Sequence, residues 1–196
     1  MKKIFLALTI LVLTFSTQII ADTSNSIQRI YEGNKDAKVT IITYESLTCS
    51  HCADFHKNVY PQLKKEFIDT GLVKIEFRHF PLDMAALNAS KIAQCNNDGK
   101  SDLLHFLFSN QKKWAIGETV EAANENLKKL LKDENIAVDF EKCTNNKNIE
   151  DYVLNDRIEG VKKFKVNATP AIIINNKKFD KTLNYKNLKK SIEKLI

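Results

Sequence analysis

The 196-residue chain has few long apolar runs, few glycines and prolines, and few cysteines. After its first residues, no segment approaches the roughly 20 apolar residues that a bilayer-spanning helix needs. Repeats and low-complexity linkers are absent, and there are only five glycines and three prolines. That leaves one domain, or one domain carrying an insertion. Clustered basic charge is also missing. The formal charge is +6, but lysines alternate with acids, as in Lys128-Lys129 beside Lys132-Asp133-Glu134. A solvated surface explains this pattern. A nucleic-acid site would want clustering with interleaved aromatics, so none is expected. Cysteine is scarce, with four in all, and none closely follows the first apolar run, which argues against a bacterial lipid anchor.

That first run follows Met1-Lys2-Lys3 and extends over residues 4–15. Ser16-Thr17-Gln18 ends it, and Ala21 precedes Asp22. Basic, apolar, then small is the order of a secretory signal, so residues 1–21 are expected to be a signal peptide. Ile19 sits where a small residue is preferred, and an uncleaved anchor is the alternative. Export places the four cysteines in an oxidising space. It leaves about 175 residues, enough for a sizeable core. The charge falls to about +4 once Lys2 and Lys3 leave.

The stretch that organises the chain is Thr48-Cys49-Ser50-His51-Cys52. It lies where a β-branched run, residues 39–44, gives way to a helical pattern. A helix N-terminus offers unpaired N–H groups and partial positive charge, which stabilise a thiolate. Cys49 is expected to be the exposed nucleophile. Cys52, one turn deeper, would resolve the mixed disulfide. His51 lies between them and can add a second positive charge beside Cys49. Two other readings fit the spacing: a structural disulfide, and half of a zinc site. Zinc wants four ligands. His56 could be a third, but no fourth follows, so no metal is expected.

Residues 26–35 read as a loose lead-in, with Ile27, Ile30 and Tyr31 near the core. Residues 38–44 read as a buried central strand. Residues 49–67 read as a helix with Phe55, Val59, Leu63 and Phe67 on one face, kinked or divided at Pro61. Gly71 stops it, and residues 72–77 alternate as a strand. Strand, helix, strand at this length is a right-handed parallel crossover. Residues 83–164 are helical, with breaks expected at Gly99, Gly117, Asn135 and Asn145-Asn146. Residues 171–174 and 177–179 form a hairpin across Asn175-Asn176. An amphipathic helix over 185–195, with Leu188, Ile192 and Leu195 on one face, closes the chain. The fold class is α/β, a central sheet with helices on its faces.

On these residues the chain resembles the thioredoxin-fold thiol oxidoreductases, and among them the DsbA-like periplasmic proteins. The matching pieces are Cys49-Ser50-His51-Cys52 after a strand, Phe77-Arg78-His79-Phe80-Pro81 at the end of the next, and Thr169-Pro170 before the hairpin. Leu107-Phe108-Ser109-Asn110-Gln111 followed by Trp114 also resembles a stretch of that family's helical insertion. The resemblance implies a thioredoxin-like fold with a central mixed sheet, from residues 22–81 and 166–196, and an inserted helical domain over 82–165. It implies a cis Thr169-Pro170 peptide against the active-site sulfurs, with Thr169 and Pro170 binding extended substrate. It implies catalysis by Cys49, Cys52 and His51 and no cofactor.

In the family's mechanism a Cys49–Cys52 disulfide is donated to reduced exported proteins in the periplasm. A DsbB-like membrane quinone reductase reoxidises the enzyme. A disulfide isomerase or reductase is the nearest alternative, and a metal- or peptide-binding periplasmic module is the rival of another class. Only about 17 residues separate the expected cleavage from the first strand, too few for an N-terminal dimerisation domain, so a monomer is expected. Cys95 and Cys143 are expected to form a structural disulfide, as in some relatives, contributing about 4 kcal/mol by chain entropy. Many relatives also place a buried acid six residues before the first cysteine. Here that position is Thr43. Glu45 lies two residues on and would point to the same side if the strand continued that far. A solvated loop glutamate is the expected reading, and substitution for the missing acid, which in relatives exchanges a proton with the deeper thiol, is the alternative. His79 and His105 are expected to be structural.

Overall fold

The computed structural model describes residues 26–196. The expected signal peptide lies outside the described residues. Strand β1 (Tyr31–Glu32) is the first element among the described residues, and the β-branched run becomes β2 (Val39–Glu45). Helix α1 (Ser50–Asn58) follows, then α2 (Tyr60–Leu63), a π-helical turn (Lys64–Ile68), and β3 (Val73–His79). The helical stretch comprises α3 (Met84–Gln94), α4 (Asp102–Ser109), α5 (Gln111–Trp114), α6 (Val120–Asp133), α7 (Phe140–Thr144) and α8 (Lys147–Phe164). Strands β4 (Ala171–Ile174) and β5 (Lys177–Lys178) and helix α9 (Tyr185–Ile192) complete it.

The sheet order is β1-β3-β2-β4-β5. β2 and β3 are parallel, with Thr43 opposite Phe77 and Glu45 opposite His79; β1, β4 and β5 add antiparallel. The sheet is therefore mixed, and the fold is thioredoxin-like as expected. The lead-in supplies the edge strand β1, too short for a period-2 signal. β3 alternates as its sequence does. Val73, Ile75, Phe77 and His79 are buried, while Lys74 and Arg78 pair with Glu76 on the other face. At the hairpin, Asn175 and Asn176 both adopt positive φ (45° and 66°), the geometry of a tight primed turn that asparagine tolerates.

The expected helix over 49–67 is divided. Val59 departs from helical geometry (φ −114°), and Pro61 enters as the second residue of α2, where its missing N–H leaves no bond unmade. The apolar face survives the break: Phe55, Val59, Leu63 and Phe67 are all buried under the sheet. Each such side chain contributes about 1.5–3 kcal/mol of burial. At Gly160 α8 lies tight against a side chain of the sheet. A Cβ there would lie 2.9 Å from a ring carbon of Tyr44, itself fully buried. Cys95, just after α3, and Cys143 in α7 are joined by a disulfide with their Cα atoms 5.5 Å apart. No helix among the described residues is long and apolar enough to cross a membrane.

Candidate active site

β2 delivers the chain to the site. After Glu45, Ser46–Thr48 turns, and Cys49 becomes the N-cap of α1. Its own N–H is held by the Ser46 carbonyl (3.0 Å), and its carbonyl accepts from the N–H groups of Cys52 and Ala53. The turn is braced from two sides. Thr48 Oγ1 donates to Asp83 Oδ2 (2.6 Å), while Asp83 Oδ1 caps α3 by accepting from Ala86 N–H (2.7 Å). From α5, the buried Gln111 amide donates to the carbonyls of Leu47 (2.8 Å) and Cys49 (3.0 Å). Gln111 is a positioning residue that its sequence did not reveal; its only signal was membership of the 107–111 stretch.

Cys49 and Cys52 are both free thiols, Cys49 half-buried and Cys52 fully buried. Cys49 Sγ reaches the carbonyl oxygen of Thr169 at 3.4 Å, so two segments 120 residues apart meet at the sulfur. The Thr169-Pro170 peptide is cis. The Thr169 hydroxyl is buried beside it and has no hydrogen-bond partner among the described residues. Cys49 is held well below an ordinary thiol, at about 5. The leading cause is the hydrogen bond from the Cys52 thiol. Partial burial opposes it, and the Thr169 side chain and the backbone N–H groups of Cys52 and His51 add to it. Cys52 moves the other way. Burial is the main cause, followed by its bond to Cys49 and the negative charge of Glu45. One sulfur is thus a stable thiolate at neutral pH, and its neighbour keeps its proton.

The backbone N–H of His51 favours the Cys49 thiolate. Its exposed imidazole makes no hydrogen bond among the described residues and lines, with Phe55, Val59, Pro170 and Tyr185, a groove beside the site.

The expectation for Glu45 is overturned. β2 runs one residue past Tyr44, and pairing with His79 carries Glu45 inside, where it is 4% exposed. His56 Nε2 lies 2.9 Å from Glu45 Oε2, which leaves that nitrogen committed to Glu45. His56 stacks on Phe108, with ring centroids 4.1 Å apart. Among the described residues no group of three potential ligands could hold a metal ion. His105, on α4, faces His56. His79 is buried with Gln94, and burial lowers its pKa.

The family model described as thioredoxin matches residues 25–194. The chain belongs to the thioredoxin family. Within that family it is DsbA-like: the crystal structure of Wolbachia pipientis alpha-DsbA1 superposes with a TM-score of 0.75 at 31% identity, covering 85% of this chain and 90% of that one. BdbD from Bacillus subtilis shares the thioredoxin-like fold at a TM-score of 0.69 and 24% identity, over 85% of this chain and 91% of that one. Among sequences, the chain is 34% identical over 117 residues to a "Putative protein-disulfide oxidoreductase" of Rickettsia bellii (strain RML369-C), covering 53% of this chain and 45% of that protein. It is 28% identical to "Disulfide bond formation protein D" of Bacillus subtilis (strain 168), over 83% of this chain and 74% of that protein. The thioredoxin-family chain spans between 31% and 60% of the length of its rickettsial relatives.

Proposed function

We propose that the protein is a periplasmic thiol:disulfide oxidoreductase that donates a Cys49–Cys52 disulfide to exported proteins as they fold. The observation that carries this reading is the split between the two sulfurs: a half-buried Cys49 held near 5 above a buried, proton-retaining Cys52. In the oxidised enzyme a substrate thiolate attacks Cys49 Sγ. The new bond joins substrate and Cys49, the Cys49–Cys52 bond breaks, and Cys52 leaves with the electron pair and takes a proton. A second substrate thiolate then attacks the substrate sulfur. The substrate disulfide forms and Cys49 leaves as a thiolate, which its low pKa favours. Two electrons pass from substrate to enzyme.

Each unit by which Cys49 is made more acidic, below ambient pH, stabilises the reduced enzyme by about 1.4 kcal/mol. That drives the couple toward oxidation of partners. Thr169 and Pro170 are the substrate-binding pair in this reading, with extended substrate pairing against the backbone at Thr169. His51 and the groove it lines contact the same substrate. Residues 22–81 and 166–196 are the thioredoxin-like platform, and 82–165 the inserted helical domain. Residues 1–21 direct export. The enzyme works as a monomer without a cofactor and is reoxidised by a DsbB-like membrane quinone reductase.

The test is transfer to a reduced, unfolded protein with two cysteines. The oxidised enzyme should form one substrate disulfide per enzyme disulfide consumed. Cys49→Ser and Cys52→Ser, neither of which can form the enzyme disulfide, should both abolish transfer. An oxidised enzyme that leaves the substrate reduced would refute the proposal.

A further inference from the structure

Beneath the two cysteines runs a line of four side chains that the disulfide chemistry above does not use. Glu45 Oε2 meets His56 Nε2 at 2.9 Å. His56 Nδ1 meets His105 Nδ1 at 2.9 Å. His105 Nε2 meets Glu32 Oε1 at 2.7 Å. Glu45 and His56, at the inner end, are buried, with side chains 3% and 5% exposed. The outer end is more open, because His105 is 23% exposed and lines, with Glu32 and the edge of His56, a surface cavity of about 810 Å³. Glu32 is anchored there by Tyr60 (2.6 Å), Ser101 (2.6 Å) and Lys64 (2.7 Å), which itself pairs with Asp69.

Counting protons decides what this line is. Three hydrogen bonds need three protons. Two carboxylates supply none, and two neutral imidazoles supply one each. With both imidazole protons on the carboxylate-facing nitrogens, the two Nδ1 lone pairs would confront each other at 2.9 Å. The line therefore holds one further proton. It can sit on Glu45, with His56 and His105 each donating outward. Alternatively, Glu45 is a carboxylate, both bonds beyond it reverse, and His105 becomes an imidazolium against Glu32. The two arrangements differ only by proton hops along existing bonds. Glu45 Oε1, the oxygen that His56 does not touch, is buried and has no partner. Glu45 is also close enough to Cys52 for its charge to oppose the Cys52 thiolate.

Resting on the oxidase reading, we propose that His56, His105 and Glu32 form a proton relay joining Glu45, the acid–base partner of Cys52, to solvent on the far side of α1. When Cys52 leaves during disulfide donation, Glu45 gives it the proton. When Cys52 must attack a mixed disulfide on Cys49, Glu45 takes the proton. The Cys52–Cys49 bond then forms, the bond from Cys49 to the outer thiol breaks, and that thiol leaves as a thiolate. In both directions the relay resets Glu45 through the cavity, without opening the substrate face. The four residues are positioning and proton-handling groups, since none touches substrate.

The test follows reduced enzyme mixed with oxidised glutathione, quenched and read by mass. Formation of the Cys49–glutathione adduct reports Cys49, and its loss to the internal disulfide reports Cys52. In His105→Ala, formation should be unchanged. Resolution should slow about tenfold or more, in line with a lost proton-transfer step. Free imidazole, which the enlarged cavity can hold, should restore the rate in this variant and leave the unsubstituted protein unaffected. Glu45→Gln, which keeps the shape and loses the titratable oxygen, should be slow and not rescued. Resolution at the normal rate in both variants would overturn the relay. So would slowing of His105→Ala with no response to imidazole and an unaltered pH profile, which is the signature of a merely structural role. Failure of the unsubstituted protein to form the adduct would defeat the oxidase reading, and the relay with it.

Discussion

Changing the pH should bend the redox equilibrium of this protein in a way a simple dithiol does not. Cys49 falls from an ordinary 9.0 to about 5. A depressed acid contributes stability to the reduced form that is complete above the ordinary thiol value and is lost as pH falls through about 5. At pH 7, about two of those four units are realised, an upper figure of about 2.7 kcal/mol. Cys49 is only partly buried, and solvent screening trims this to about 2 kcal/mol. That corresponds to a couple about 40–60 mV more oxidising than one with an unperturbed Cys49. Cys52 keeps its proton throughout. Reduction therefore takes up two protons below about pH 5 and one above it. The potential should fall by about 60 mV per pH unit below the break and about 30 mV above it. Against glutathione, whose own thiols stay protonated to about pH 8.5, the equilibrium constant for enzyme reduction should be flat below pH 5. Above it, the constant should rise about tenfold per unit to pH 8. Equilibration across that range, with acid quench and mass readout, gives the curve. A constant that stays flat to pH 8 would mean that Cys49 is an ordinary thiol, and the energetic account would be wrong.

Other consequences are less elaborate. His51→Ala keeps the backbone N–H that favours the Cys49 thiolate, so the thiolate titration, followed by ultraviolet absorbance, should move by less than about one unit. A larger move would return the imidazole to the account. Cys95→Ser with Cys143→Ser removes a link across a sequence separation of 48 and should cost about 4 kcal/mol in denaturant unfolding, on the chain-entropy model. Gly160→Val places a side chain against the buried Tyr44 ring and should destabilise by about 1–3 kcal/mol in the same assay, leaving the Cys49 titration in place.

The framework was legible because its signals are local. The β-branched run of β2, the alternation of β3 and the four-residue recurrence of Phe55, Val59, Leu63 and Phe67 each report one element facing one core. The Cys-x-x-Cys pair announced itself by its place at a strand-to-helix junction. What stayed hidden depended on where elements end and which ones meet. Glu45 is buried because β2 continues one residue past Tyr44, and a solvated turn and a last strand residue read alike in sequence. The partnership of His56 with His105 spans 49 residues and two helices, and no periodicity carries it. Gln111 holds the active-site turn from a four-residue helix. The cis geometry at Pro170 was accessible only through resemblance, because few X–Pro bonds are cis.

The most direct test of the central claim is the reduction potential of the Cys49–Cys52 couple at neutral pH. A value well above the glutathione couple is expected, since a stabilised Cys49 thiolate favours the dithiol and makes the disulfide a donor. A value near thioredoxin's would contradict the account, because the enzyme would then pass electrons to its partners instead of taking them.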